Sequence, residues 1–195
     1  MFKRLKIPSL SALSWVVVVI LTLCNVLVIR QNWRLRAMVR ELESERKIQI
    51  GDRLLSLRAA DLDGKPVEVN FDQNDVRKVV LFSSVTCPFC KKQNPRWNQL
   101  IQQIDHRKYE VIEVFRDREA RSQVAAYLRA NGTSSESIRV LLIADDFLNK
   151  AKLNSTPITL VVGKNGVVEK AWFGLWNESA VAEINSYLDI SIHSG

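Results

Sequence analysis

Lys78-Val79-Val80-Leu81-Phe82-Ser83-Ser84-Val85-Thr86-Cys87-Pro88-Phe89-Cys90-Lys91-Lys92-Gln93-Asn94-Pro95 joins an apolar run to a pair of cysteines. The uninterrupted run Val79–Phe82 has the pattern of a central strand buried on both faces. Pro88 suits the first turn of a helix, and Trp97, Leu100, Ile101 and Ile104 recur at i, i+3, i+4, i+7 as its inner stripe. A Cys-x-x-Cys pair between such a strand and such a helix points to redox chemistry. The first cysteine meets the unpaired amide N–H groups and the positive end of the helix dipole, which favour a thiolate. The second lies one turn on, more sheltered and close enough to close a disulfide. Cys87 is therefore the expected attacking thiol and Cys90 the resolving one. Lys91 and Lys92 add positive charge nearby.

A metal centre is not expected. Zinc normally takes four ligands, and outside this pair the sequence holds only Cys24, His106 and His193, without ligand-like spacing. The chemistry needs no cofactor beyond a redox-active Cys87–Cys90 disulfide.

Working outward, strand-like and helix-like segments alternate. Asp61–Pro66 reads as a turn, followed by an alternating strand through Val67, Val69 and Phe71. After the cysteine helix come a strand at Val111–Phe115 and a helix turning Ala120, Val124, Tyr127 and Leu128 inward, stopped at Asn131-Gly132. A strand at Ile138–Ile143 and a short helix at Asp145–Leu153, started by Asp145 or Asp146, follow. Ile158–Val162 and Val167–Phe173 flank Lys164-Asn165-Gly166, a hairpin turn, and a last helix starts near Asn177. The pattern predicts an α/β layered sheet, mainly parallel with an antiparallel edge.

The chain has 195 residues and a net charge of +7, of which the first 50 residues, with nine basic and three acidic side chains, carry +6. The remaining residues are nearly neutral, so no nucleic-acid surface is expected. Ile7–Ile29 is 23 residues without a charge, roughly 35 Å as a helix and enough to cross a membrane. The run is long for a cleaved signal, and Leu23 before Cys24 does not suit a lipoprotein site. Trp15 and Trp33 suit the two interfaces. Lys3, Arg4 and Lys6 on one side and Arg30, Arg34, Arg36 and Arg40 on the other leave orientation undecided. Gln31–Lys47 is a polar connector with a short stripe of Leu35, Met38, Val39 and Leu42. The expected domains are an anchor at 1–30, a helical stalk at 31–49 and a redox domain at 50–190.

Thr86 through Pro95, following Val79–Ser83, resembles the active-site segment of the thioredoxin superfamily. The resemblance is greater to its membrane-anchored bacterial TlpA/ResA-like branch, including MauD-type proteins. Pro95 stands where that family has a helix proline, and the leading Gly51 and Asp61-Leu62-Asp63-Gly64-Lys65 also fit. The resemblance implies a thioredoxin-like fold with an N-terminal strand extension and a helix-strand insertion between Phe115 and Thr156. By itself Thr156-Pro157 reads as a proline at the start of a strand. The resemblance implies instead a cis-proline loop that sets the Thr156 backbone beside Cys87, free to pair with an extended substrate. Pro88 and Phe89 belong to the same substrate surface. The sequence departs from the family at Thr86, often Trp, at Leu81, a buried acid in plain thioredoxins, and at Gln93, often Glu in the ResA-like branch. Glu113, on the neighbouring strand, is then the candidate proton acceptor for the buried thiol.

The resemblance implies a thiol–disulfide oxidoreductase acting on protein thiols and disulfides, held in a bacterial inner membrane by one span. Its catalytic domain would face the periplasm or cell exterior and exchange electrons with a membrane donor or acceptor. Uncharged Pro88-Phe89 does not mark a strong oxidant, and analogy with the anchored branch favours a reductase. Two alternatives stand beside it. One is a thiol peroxidase, because Ser84-x-x-Cys87 is faintly similar to the peroxiredoxin motif, although Val80 replaces its proline. The other is a non-catalytic assembly or metal-delivery factor.

Overall fold

The computed structural model describes residues 10–45, 47–54, 56–72, 76–133 and 138–193. The chain divides into two compact units, residues 1–46 and 47–195.

The first unit is one helix, α1 (Leu10–Glu45). Its Val17–Arg36 segment is long and apolar enough to cross a membrane, and none of it is buried, which makes it a candidate transmembrane span. Two of its polar side chains bond within the helix, as an apolar surrounding would require: Thr22 Oγ1 donates to the Val18 carbonyl at 2.7 Å and Asn25 Nδ2 to the Leu21 carbonyl at 2.9 Å. Trp15 and Trp33, both exposed, are separated by about 27 Å of helix rise, close to the ~30 Å hydrocarbon core. Lys3, Arg4 and Lys6 and the side chains of Met38, Val39 and Leu42 lie outside the described residues.

The second unit is built from β1 (Leu57–Ala60), β2 (Pro66–Val69), β3 (Arg77–Phe82), α2 (Pro88–Gln103), β4 (Tyr109–Arg116), α3 (Arg121–Ala130), β5 (Arg139–Ile143), α4 (Asp145–Lys150), β6 (Ile158–Val162), β7 (Val168–Phe173) and α5 (Glu178–Leu188). The strands form one sheet in the order β2-β1-β5-β4-β3-β6-β7.

Only the pairs β3–β4 and β4–β5 are parallel; the other four pairs are antiparallel. This corrects the expectation of a mainly parallel sheet. The parallel part is the β3-α2-β4-α3-β5 core, where a helix returns the chain between neighbouring strands. The β1–β2 hairpin flanks it on one side and the β6–β7 hairpin on the other. β1 carries no clear alternating pattern, so only the N-terminal strand extension implied by the resemblance anticipated it, and Phe71 lies past the end of β2. Ala120 is exposed and caps α3 instead of facing inward, and Ala144, not an aspartate, caps α4.

Alternation along β3 sorts the core into two layers. Val79 and Leu81 face Trp97, Leu100, Tyr127, Ile184 and Leu188, beneath α2, α3 and α5. Val80 and Phe82 face Ile48, Leu54, Leu148 and Leu153, beneath α4 and the segment before β1. Trp97, nearly fully buried, donates its indole N–H to Thr159 Oγ1 at 3.0 Å and so fixes α2 on β6.

Candidate active site

Cys87 is the cap residue of α2, in extended backbone, and its sulfur accepts the Cys90 amide N–H at 3.2 Å. The β3 strand ends at Phe82, so the helix starts just beyond the carboxyl end of a central strand. Cys87 is half-buried and Cys90 fully buried; both are free thiols. Burial pushes the Cys87 thiol up, but hydrogen bonds from Cys90, Thr156 and the amides of Cys90 and Phe89 outweigh it, so its pKa falls below the ordinary value. Burial, and then the bond with Cys87, push the Cys90 thiol up to about 12. The two thiols thus differ: the outer one gives up its proton more easily than an ordinary thiol and the inner one keeps it.

The Thr156–Pro157 peptide bond is cis. The Cys87 thiol donates to the Thr156 carbonyl at 3.6 Å, across 69 residues of chain. Thr86, Pro88 and Phe89 are exposed around the sulfur and Pro157 is buried behind it. Lys91, Lys92 and Pro95 are exposed along α2.

Gln93 does not point at the thiols' solvent side but into the protein. It is buried, and its Oε1 accepts the Trp176 amide N–H at 3.0 Å. Arg96 donates to the Trp176 carbonyl. Together they tie the β7–α5 loop to the cysteine helix.

Glu113 is also buried, paired directly with Leu81 in the parallel β3–β4 ladder. Burial raises its pKa to about 8, opposed by a hydrogen bond from Ser83. Ser83 Oγ lies 3.4 Å from Tyr127 Oη, which also receives Asn94 Nδ2 at 2.9 Å. Asn94 stands one turn past Cys90 on the same face of α2. Burial, reinforced by Cys90 and Glu113 and opposed by Ser83 and Asn94, raises the Tyr127 hydroxyl to about 12. A buried polar chain therefore runs from Glu113 through Ser83 and Tyr127 to Asn94 beside Cys90.

Of this chain only Glu113 was a candidate from the sequence. Tyr127 was placed in the core by its helical spacing, while Ser83 and Asn94 gave no signal. Glu119, in the β4–α3 loop, was also missed. Its Oε1 accepts the Ser84 hydroxyl at 2.6 Å and its Oε2 the Val85 amide at 3.3 Å. Among the described residues, no group of three or more His, Cys, Asp or Glu side chains comes together that could hold a metal.

The model of the AhpC/TSA family matches residues 50–171, more than half of the chain. The chain belongs to the AhpC/TSA family. Membership carries the enzyme class, an oxidoreductase. No curated protein matches the sequence. Solved structures similar to this AhpC/TSA member include the thioredoxin domain of a thiol-disulfide oxidoreductase from Bacteroides vulgatus, with 16% identity, a TM-score of 0.58, and coverage of 73% of this chain and 99% of that one. A thiol:disulfide interchange protein from a Bacteroides species matches at 15% identity and TM-score 0.57, over 73% of this chain and 91% of that one. A peroxiredoxin-like protein from Aquifex aeolicus matches at 14% identity and TM-score 0.55, over 73% and 89%. These likenesses establish a mixed α/β thioredoxin-like fold.

Proposed function

We propose that this chain is a membrane-tethered thiol–disulfide oxidoreductase working as a reductase on protein disulfides. The single observation that carries the reading is the asymmetry of its two thiols. A half-exposed, readily ionised Cys87 caps the helix, and a buried, protonated Cys90 lies one turn behind it. The Cys87 thiolate attacks a substrate disulfide, forming a mixed disulfide and releasing one substrate thiolate. Cys90 then loses its proton, for which Glu113 in its ionised form is the candidate acceptor, and its sulfur attacks Cys87 Sγ. The Cys87–Cys90 disulfide forms, the second substrate sulfur leaves with its electron pair, and two electrons have passed to the substrate.

Substrate would lie across Phe89 and Pro88 and along the Thr156 backbone beside Pro157. α1 supplies the tether, with residues 1–30 as anchor and 31–49 as stalk below a redox domain at 50–190. The reading places that domain outside a bacterial inner membrane, in the TlpA/ResA-like manner, with a membrane electron donor restoring the dithiol. Two measurements test it. Cys90→Ser should trap mixed disulfides with client proteins, and the Cys87–Cys90 reduction potential should lie near about −270 mV; a value near about −120 mV would make the protein an oxidant. The idea fails if no client is trapped and wild type exchanges with no model disulfide. Unimpaired function of a Cys87→Ser/Cys90→Ser variant would instead assign a binding role.

A peroxidase reading draws support from the AhpC/TSA match. Against it, the Ser84 hydroxyl is spent on Glu119 and does not serve Cys87. Rapid peroxide consumption by Cys90→Ser would favour it.

A further inference from the structure

The loop between β3 and Cys87 is held by a carboxylate from another part of the chain. Glu119 accepts from the Ser84 hydroxyl and the Val85 amide. Ser84 Oγ in turn lies 3.1 Å from Thr86 Oγ1 and receives the Thr86 amide at 3.4 Å. The Ser84 carbonyl accepts the Cys87 amide N–H at 3.1 Å. The Ser84 backbone also favours the ionised form of the Cys90 sulfur. One serine thus meets Cys87 through its main chain and Glu119 through its side chain. Charge-assisted hydrogen bonds of this kind are short and strong, and a 2.6 Å O–H to carboxylate contact is typical of them.

We propose that Glu119 is a positioning residue for disulfide exchange: by clamping Ser84 and Val85 it holds the loop whose Ser84 carbonyl fixes the Cys87 amide, and so sets how fast Cys87 opens a substrate disulfide. This rests on the thiol–disulfide reading above. Glu119 belongs to the β4–α3 connection, so that connection takes part in the redox site.

The test uses the full chain with Cys24→Ser, so that Cys87 and Cys90 are the thiols that react, reduced, in detergent, with 5,5′-dithiobis(2-nitrobenzoate) as the disulfide. Attack by Cys87 releases one nitrothiobenzoate and leaves a mixed disulfide. Attack by Cys90 releases the second and forms the Cys87–Cys90 bond, with two protons passing to solvent. In Glu119→Ala the first release should slow about tenfold, the scale of losing a hydrogen bond to a charged group. Glu119→Gln, which keeps an acceptor oxygen for Ser84, should recover most of that rate. Ser84→Ala should match Glu119→Ala, and the double variant should be no slower than either single one, because both break one link. Ser84→Ala carries the test alone if Glu119→Ala does not fold. An unchanged first release in both variants, or additive losses, would overturn the clamp. No second release by the Cys24→Ser protein would instead overturn the oxidoreductase reading.

Discussion

Glu113 faces Leu81 residue for residue across the β3–β4 ladder, and is the buried carboxylate of the sheet among the described residues. The strand that leads to the cysteines is thereby wholly apolar at its centre, while the acid sits one strand away beneath α2 and α3. From there it reaches the Cys90 side of the helix only through Ser83, Tyr127 and Asn94.

That placement predicts a pH-dependent stability. The folded pKa of Glu113 is raised by burial to about 8, above the ordinary value of 4.5. Between these values the folded state holds the proton and the unfolded state does not. The Glu113 contribution to stability should therefore be fully present below about pH 4.5 and decline, by a few kcal/mol at most, as pH rises to about 8. Glu113→Gln should flatten this slope, seen by urea unfolding across the range; an equal slope in both proteins would contradict it.

The same carboxyl should matter to catalysis. Glutamine can hydrogen-bond but cannot accept the Cys90 proton. Above about pH 8, where Glu113 is ionised, Glu113→Gln should leave the first nitrothiobenzoate release unchanged and slow the second at least about tenfold. The loss should be small at lower pH, where the carboxyl already holds its proton, and grow as pH rises through about 8. Tyr127→Phe should slow the same step.

The two thiols should react unequally with iodoacetamide. With its pKa lowered, Cys87 should alkylate readily at neutral pH, whereas Cys90, buried and raised to about 12, should stay unmodified until the chain unfolds. Peptide mass mapping reads both sites. Equal labelling in the folded protein would refute the assigned roles.

Gln93→Ala should cost about 1–3 kcal/mol, because it leaves the Trp176 amide buried without its acceptor. Chemical denaturation measures this. Phe89→Ser, at a side chain 54% exposed, should change stability by less than about 0.5 kcal/mol while weakening exchange with protein substrates.

Residues 47–195 should fold and exchange disulfides without α1, since they form a compact unit of their own. The full chain should stay with carbonate-washed membranes and the fragment should remain in solution. A full chain recovered without detergent would remove the tether.

The place of Cys87 at the head of a helix, with Cys90 one turn on, was legible in the sequence because its physics is local. A helix end, a preceding apolar strand and a one-turn spacing are all fixed within a dozen residues. The apolar helix and the Asn165-Gly166 hairpin were legible for the same reason, being matters of composition and turn geometry. Strand direction was not, because parallel and antiparallel pairing depend on how distant segments return to the sheet. Neither was the inward turn of Gln93 toward Trp176, whereas the approach of Thr156 to Cys87 across 69 residues was expected only from the family resemblance, and the structure bears it out. Periodicity marked Tyr127 as core, but only packing shows that its hydroxyl joins Glu113 to the cysteine helix. Glu119 is the extreme case, a single acid in a charged loop whose meaning appears only when β4 lies beside β3. The sequence by itself thus determined where the two thiols stand on the fold, and the tertiary structure decided which groups surround them, because those partners are gathered by the sheet and not by the chain's order.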